Sequence, residues 1–302
     1  MSLVNFYAGG ALDRASPRRK DRAWVDALLA GAGTRFVLLW RGRNLVLSGA
    51  EAEPRAAFLT RAQYAPDGGE PVLLGLDGDT AYFAFDLSRH ETPLAALALS
   101  DPCEFTDLRR VGPLLPRAEG SLLAYARGIA YWHERHRFCG VCGAPTASEE
   151  GGHVRRCTSA QCGASHFPRT DPAVIMLVHD GKRCLLGRKS EWPRGMHSTL
   201  AGFVEPGESL EEAVAREVFE ETGIAVDEVT YHSSQPWPFP ASLMLGFHAR
   251  ARSRAITVDP EELEHAAWYE RGFLLTHEDD DELRLPRRDS IARRLVEDWL
   301  RR

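Results

Sequence analysis

The run from Gly202 to Ile224, GFVEPGESLEEAVAREVFEETGI, constrains this chain more than any other stretch. It reads as a loop feeding a short helix. Ser209 with Glu212 three residues later makes a capping box, and Gly223 suits the position just past the last turn. The spacing predicts a helix from about Leu210 to Thr222, on which Glu217, Glu220 and Glu221 stand at i, i+3 and i+4 and share one face. Between Glu205 and Glu221 seven glutamates stand against one arginine, a local balance of −6 that equals the formal net charge of all 302 residues. Like charges that close repel unless a cation sits among them. Hard divalent cations, Mg2+ or Mn2+, prefer carboxylate oxygens and also hold phosphate oxygens. Arg216 is spaced to pair with Glu208 and tie the loop to the helix. A solvated acidic face is the plainer reading of most glutamate runs.

A chain of 302 residues suggests about two domains, and 44% apolar content is ample for real cores. Its 37 basic and 43 acidic residues create no global field that would recruit nucleic acid or an anionic membrane. No apolar run approaches the ~18 residues of a membrane span, and MSLVNFYAGG lacks the basic and apolar regions of a signal peptide. The expectation is a soluble cytoplasmic protein with no membrane partner.

Four of the six cysteines fall in one segment: Cys139-x2-Cys142, fourteen residues, then Cys157-x4-Cys162. Two knuckles around a hairpin-sized insert are the layout of a zinc ribbon. Four thiolates close a tetrahedral Zn2+ site with no open position, so this metal is expected to be structural. A cytosolic chain argues against disulfides, and His153 and His166 are the alternative ligands nearby. Cys103 and Cys184 stand alone in apolar surroundings and read as buried and inert.

Along the chain, an amphipathic helix near Arg22 to Leu29 precedes strands at TRFVLLW, NLVLSG, PVLLGLDG and TAYFAFDL. The pattern turns helical between Leu94 and Val111, and a longer helix from about Glu119 to Arg135 delivers the chain to the cysteines. After the ribbon, AVIMLV and CLLGRK read as a hairpin, VTYHSSQ, LMLGFHARA and HAAWY as strands, and RDSIARRLVEDWL as a final amphipathic helix. The acidic stretch Glu278 to Glu282 reads as a solvated loop. Ser234 to Ser242, SQPWPFPAS, carries prolines at 236, 238 and 240; alternating proline predicts a stiff extended segment presenting Trp237 and Phe239 to a planar base.

The run Gly202 to Ile224 fits G-x5-E-x7-R-E-U-x-E-E-x-G-U, with U aliphatic, at every fixed position, which identifies it as a Nudix box. A zinc ribbon before the box and SQPWPFPAS after it resemble the NADH pyrophosphatase (NAD diphosphatase) branch of the Nudix hydrolases. YAGGALDRAS, WHERHRFC and SIARRLVEDWL extend the resemblance over nearly the whole chain. The C-x4-C second knuckle departs from the family's usual C-x2-C. The implied fold class is α+β: an N-terminal α+β domain at 1–130, a zinc ribbon at 131–168 and a Nudix domain at 169–302 with a mixed sheet sandwiched by helices.

The resemblance implies that Glu217, Glu220 and Glu221, with the Ala201 carbonyl, bind several Mg2+ or Mn2+ ions. A downstream glutamate completes the set; alignment on DPEELEHAAW points to Glu262, with Glu261 and Glu264 close by. Glu208 and Arg216 belong to the same catalytic set. Phe203 is expected to stack on a substrate ring. Gln235, Pro236, Trp237, Pro238, Phe239, Pro240, Ala241 and Ser242 are expected to wall the specific pocket, and Phe167 and Ala292 match further substrate contacts. Family members are homodimers, and Phe167 is the residue expected to reach the partner's site. The implied reaction is hydrolysis of NADH or NAD+ to nicotinamide mononucleotide and AMP, extending to removal of NAD caps from RNA, with Glu220 or Glu221 taking the proton.

Two other readings bear on function. A Nudix enzyme could prefer ADP-ribose or another nucleoside diphosphate derivative, but QPWPFP argues for NAD(H). A zinc-ribbon nucleic-acid-binding protein would draw on Arg135, Arg137, Arg155, Arg156 and Arg169 around the ribbon, but an intact box argues against a relic enzyme.

Overall fold

The computed structural model describes residues 4–49, 53–66 and 69–302, so residues 1–3, 50–52 and 67–68 of the expected N-terminal domain lie outside the described part. The chain divides into two compact units. One holds Tyr7–Thr170 with Trp237–Ala241, and the other holds residues 4–6 with Asp171–Pro236 and Ser242–Arg302. Among the described residues, no helix is long and apolar enough to cross a membrane.

In the first unit the expected strands Arg35–Trp40, Arg43–Leu47, Val72–Asp77 and Thr80–Asp86 join a seven-stranded mixed sheet, in which Arg35–Trp40 and Thr80–Asp86 run parallel with Phe36 opposite Phe83. The helix Arg22–Ala30 is capped by Asp21, whose carboxylate accepts from the Trp24 N–H at 3.0 Å. The long helix runs Arg117–Arg135. The expected helical pattern between Leu94 and Val111 is corrected. Cys103–Thr106 is a strand paired with Arg43–Leu47, and only Leu108–Val111 after it is α-helical. A short sheet-edge segment buries alternate residues too few times to announce its period. Cys103 is consequently half-buried rather than buried, whereas Cys184 is fully buried.

The ribbon belongs to this first unit. Its hairpin, Thr146–Glu149 against Val154–Cys157, supplies the insert between the knuckles. His153 Nε2 lies 2.8 Å from the Leu73 carbonyl of the large sheet and donates to it. Gly152 has φ +91°, and a Cβ there would press on Val72, so close approach as well as backbone conformation requires glycine.

The second unit is a six-stranded mixed sheet between two helices. Asp171–His179 lies at its centre, parallel to Ser242–Ala251 and antiparallel to Leu200–Phe203 and Arg183–Arg188. Strand alternation decides what covers each face. Val174, Met176 and Val178 pack with Val214 and Val218 of the helix Leu210–Thr222, whereas Ile175 and Leu177 pack with Ile291, Leu295 and Trp299 of the tail helix Ile291–Leu300. With both faces covered, the strand reads as a continuous apolar run. The sandwich expected for this part of the chain is the one observed.

Candidate active site

The box helix begins and ends where its sequence says. Ser209 accepts from the Glu212 N–H, Glu212 accepts from the Ser209 N–H, and Gly223 closes the helix at φ +68°. The cation among the carboxylates is Arg216. Its Nε and Nη2 donate to the two Glu208 oxygens at 2.6 and 2.9 Å, and its Nη1 reaches Glu217 and Glu220 at 2.8 and 2.9 Å. Nη2 also donates to the Phe203 carbonyl at 2.9 Å, so one guanidinium binds loop to helix as the spacing predicts. This grip, with the Glu205 N–H, holds the Glu208 carboxyl down at about 2, while Arg216 itself is raised.

Gly202 packs against the Glu217 carboxyl group, which would have to shift to admit a side chain there. Burial raises the Glu217 pKa against the opposing pull of Arg216. Glu221 goes further: it is 3% exposed, and its Oε2 is buried without a hydrogen-bond partner. Burial above all, against the opposing pull of Lys189 and with the help of Glu217 and Glu262, pushes its carboxyl up to about 8. Glu262 enters through the turn 259–263, in which the Asp259 N–H donates to the Glu221 carbonyl at 3.2 Å. Of the three acidic candidates there, Glu262 is the one electrostatically tied to Glu217 and Glu221, and it pairs with Lys189 at 3.2 Å. Glu264 pairs instead with Arg188 at 2.7 Å. Lys189 was missed by sequence reasoning, since a lone lysine at a strand end carries no spacing signal.

A buried carboxylate oxygen with no donor fits a cation site, because hydration is lost and nothing in the protein replaces it. Glu217, Glu220, Glu221 and Glu262 could hold a hard divalent ion there, with Ala201 on the paired strand beside Gly202. Among the described residues, the one group of three or more metal-ligating side chains already gathered within 4.8 Å is Cys139, Cys142, Cys157 and Cys162. His166 Nε2 lies 3.3 Å from the Cys139 sulfur, a partner rather than a replacement, and His153 is engaged with Leu73 and Tyr125. Backbone N–H groups, Val141 foremost, lower the Cys139 thiol to about 6. The C-x4-C knuckle therefore still delivers its sulfurs to the cluster.

The proline segment departs from the expected extended form. Val226–Trp237 and Ser242–Ala251 are neighbouring strands, so residues 238–241 must reverse the chain in a turn. Phe239 is buried, not presented: Tyr7 and Trp237 meet its ring edge-on at 5.9 and 5.1 Å, and the Arg109 and Arg127 guanidinium groups lie 4.8 and 5.1 Å from it. Arg127 Nε donates to the Pro238 carbonyl at 2.7 Å. Gln235 is fully buried; its amide donates to the Asp289 carbonyl at 2.7 Å and accepts from the Ile291 N–H at 2.8 Å, fixing the tail helix. Ala292 is on that helix, in its first turn, and is buried in the core. Phe203 and Phe167 are both 61% exposed, so their rings are open to a ligand. The basic group around the ribbon shrinks, because Arg155 is buried against Glu70 at 2.5 Å and Arg156 pairs with Glu149 at 2.7 Å.

Three family models match in succession: an NADH pyrophosphatase-like rudimentary NUDIX domain at residues 33–132, an NADH pyrophosphatase zinc ribbon domain at 134–167 and a NUDIX domain at 169–288. The NAD-capped RNA hydrolase NUDT12 of Homo sapiens is 39% identical, over 98% of this chain and 73% of that one. The chain belongs to the NADH pyrophosphatase-type Nudix hydrolases. A second relative of this Nudix group, the NAD-capped RNA hydrolase NudC of Mycobacterium bovis, is 38% identical over 95% of this chain and 94% of its own length. Among solved structures, a NUDIX hydrolase from Nitrosomonas europaea is 22% identical with a TM-score of 0.39, covering 44% of this chain and 77% of that one.

Proposed function

We propose that this Nudix hydrolase cleaves the pyrophosphate of NADH and NAD+ to nicotinamide mononucleotide (reduced, from NADH) and AMP, and that the same cleavage of NAD-capped RNA releases nicotinamide mononucleotide and leaves a 5′-phosphate on the RNA. The observation that carries the reading is the buried Glu221 carboxyl on the box helix, whose Oε2 has no hydrogen-bond partner, in a chain whose three family matches all describe NUDIX or NADH pyrophosphatase domains.

Mg2+ or Mn2+ held by Glu217, Glu220, Glu221, Glu262 and the Ala201 carbonyl would neutralise phosphate oxygens and make a nearby water more acidic. The protein's own part follows from its contacts. Arg216 keeps Glu208 ionised and anchors the loop through the Phe203 carbonyl, so Gly202 and Phe203 hold their register beside the helix. Glu220 or Glu221 takes the proton from the attacking water as the phosphorus–oxygen bond to the leaving phosphate breaks. Phe203 stacks on a substrate ring; in the segment Gln235 to Ser242, Trp237 offers its side chain to the substrate, while the buried Gln235 and Phe239 hold the backbone. Ala292 contributes through the tail helix that Gln235 fixes.

Zn2+ in the four-cysteine cluster is structural. The protein works as a cytoplasmic homodimer in which Phe167 serves the partner's site, and the three domains are bounded near residues 130 and 168. A turnover panel of NADH, NAD+, ADP-ribose, diadenosine polyphosphate and NAD-capped RNA tests the reading. NADH, NAD+ or the capped RNA should exceed ADP-ribose by about tenfold or more in kcat/KM; a preference for ADP-ribose would replace it with a different Nudix specificity.

A further inference from the structure

A second cluster of ligand-type side chains lies in the Nudix unit, away from the box. A cavity of about 550 Å3 is lined by His197, His265, His277, Tyr269, Phe273 and Glu282, with no box carboxylate on its wall. His197 is buried, and its Nδ1 lies 2.8 Å from the Gly195 carbonyl. A carbonyl only accepts, so Nδ1 carries the proton and Nε2 is left as a bare lone pair. His277 repeats the arrangement with the nitrogens exchanged: Nε2 donates to the Leu283 carbonyl at 2.8 Å, leaving Nδ1 bare. Donation of one ring N–H to a carbonyl is how proteins orient metal-binding histidines.

The free Nε2 of His197 faces Nδ1 of His265 at 3.4 Å. Two Zn–N bonds of about 2.05 Å at the tetrahedral angle put their nitrogens about 3.3 Å apart. The pair therefore already has the bite of a late first-row divalent ion, which would displace the single proton the two nitrogens can share. We propose that His197 and His265 form the core of a second, nitrogen-rich metal site for Zn2+ or an ion of that class, with water completing its coordination. Imidazole donors select such ions over Mg2+, so the site and the box would not compete for one metal.

The site would act as a clip. His197 lies on the approach to the box, where its N–H donates to the Arg284 carbonyl at 2.9 Å, and His265 opens the edge strand His265–Glu270. A metal across them ties the approach loop to that strand.

The test uses the full chain with its cysteine site loaded and saturating Mg2+ present to fill the box. Equilibrium dialysis against Zn2+, followed by metal analysis, should find two zinc ions per chain in the native protein and one in the His197→Gln, His265→Gln double variant. His265 is exposed, so His265→Gln alone should fold normally, with second-site affinity lowered roughly 10- to 100-fold. Zn2+ beyond the first equivalent should raise the Tm of the native protein and not of His265→Gln. Co2+ at the second site should show weak nitrogen–oxygen d–d bands without the sulfur charge-transfer bands of the cysteine site. A native protein that stops at one zinc, or a second zinc held equally well by His265→Gln, overturns the proposal.

Discussion

Gly202 lies directly against the Glu217 carboxyl group, so that a Cβ built on the glycine would overlap it. The box glycine is thus a space requirement rather than a backbone one, since its φ is not in the left-handed region. Gly202→Ala should leave the sandwich folded but push Glu217 out of line, lowering NADH turnover by about 100-fold, the usual consequence of an ångström of misplacement. Gly272→Ala, where a Cβ meets open space, serves as the control and should be neutral. Circular dichroism alongside kinetics checks both; full activity in Gly202→Ala would mean Glu217 is not held where turnover needs it.

Zinc at the ribbon should be inseparable from folding. Cys139→Ser removes one of four converging thiolates, so zinc content and the soluble yield of the chain should fall together. A variant with normal Tm and no zinc would show the ribbon to be held by its hairpin alone.

Acid should destabilise the fold through buried neutral histidines. Burial lowers His153 and His248 to about 4, against an ordinary 6.5 in the unfolded chain. Between pH 6.5 and 4 the unfolded chain binds more protons at these sites, so stability falls as pH falls through that window and these two groups cost nothing more below it. The loss is on the order of 1 to 3 kcal/mol for each histidine. His248→Gln keeps a donor toward the Leu295 carbonyl, 3.3 Å away, without titrating. Its urea midpoint should therefore fall less between pH 7 and 5 than that of the native protein.

Phe203 tests specificity. It stands 61% exposed while its carbonyl anchors Arg216, so side chain and backbone have separable roles. Losing one aromatic stack costs about 1 to 3 kcal/mol, so Phe203→Ala should lower kcat/KM for NADH by about 10- to 100-fold. ADP-ribose, which lacks the nicotinamide, should lose much less. Equal losses on both would assign Phe203 a structural role.

Local rules made much of this legible. The box helix, its caps and the Arg216 to Glu208 pairing depend on spacings of three to eight residues, and alternation along Val174–Val178 sets the sandwich. Burial by distant segments was not legible. Nothing in QPWPFP announces that Tyr7, Arg109 and Arg127 enclose Phe239, and nothing near Arg155 announces Glu70. Lys189 reaches Glu262 across 73 positions. The identity of the site could be read; which of its carboxylates is dry could not, because desolvation of Glu221 is a property of the packed sheet and helix rather than of neighbours in sequence.

That dry carboxylate carries the central claim. Glu221→Gln preserves shape and cannot ionise, so it removes the carboxylate that a divalent ion needs while leaving the metal-free protein, whose Glu221 is held largely protonated at neutral pH, with an unchanged Tm. NADH turnover at saturating Mg2+ should fall by about 100-fold or more. A folded Glu221→Gln protein that hydrolyses NADH within about twofold of the native rate would contradict the assignment of Glu221, and with it the mechanism built on the box.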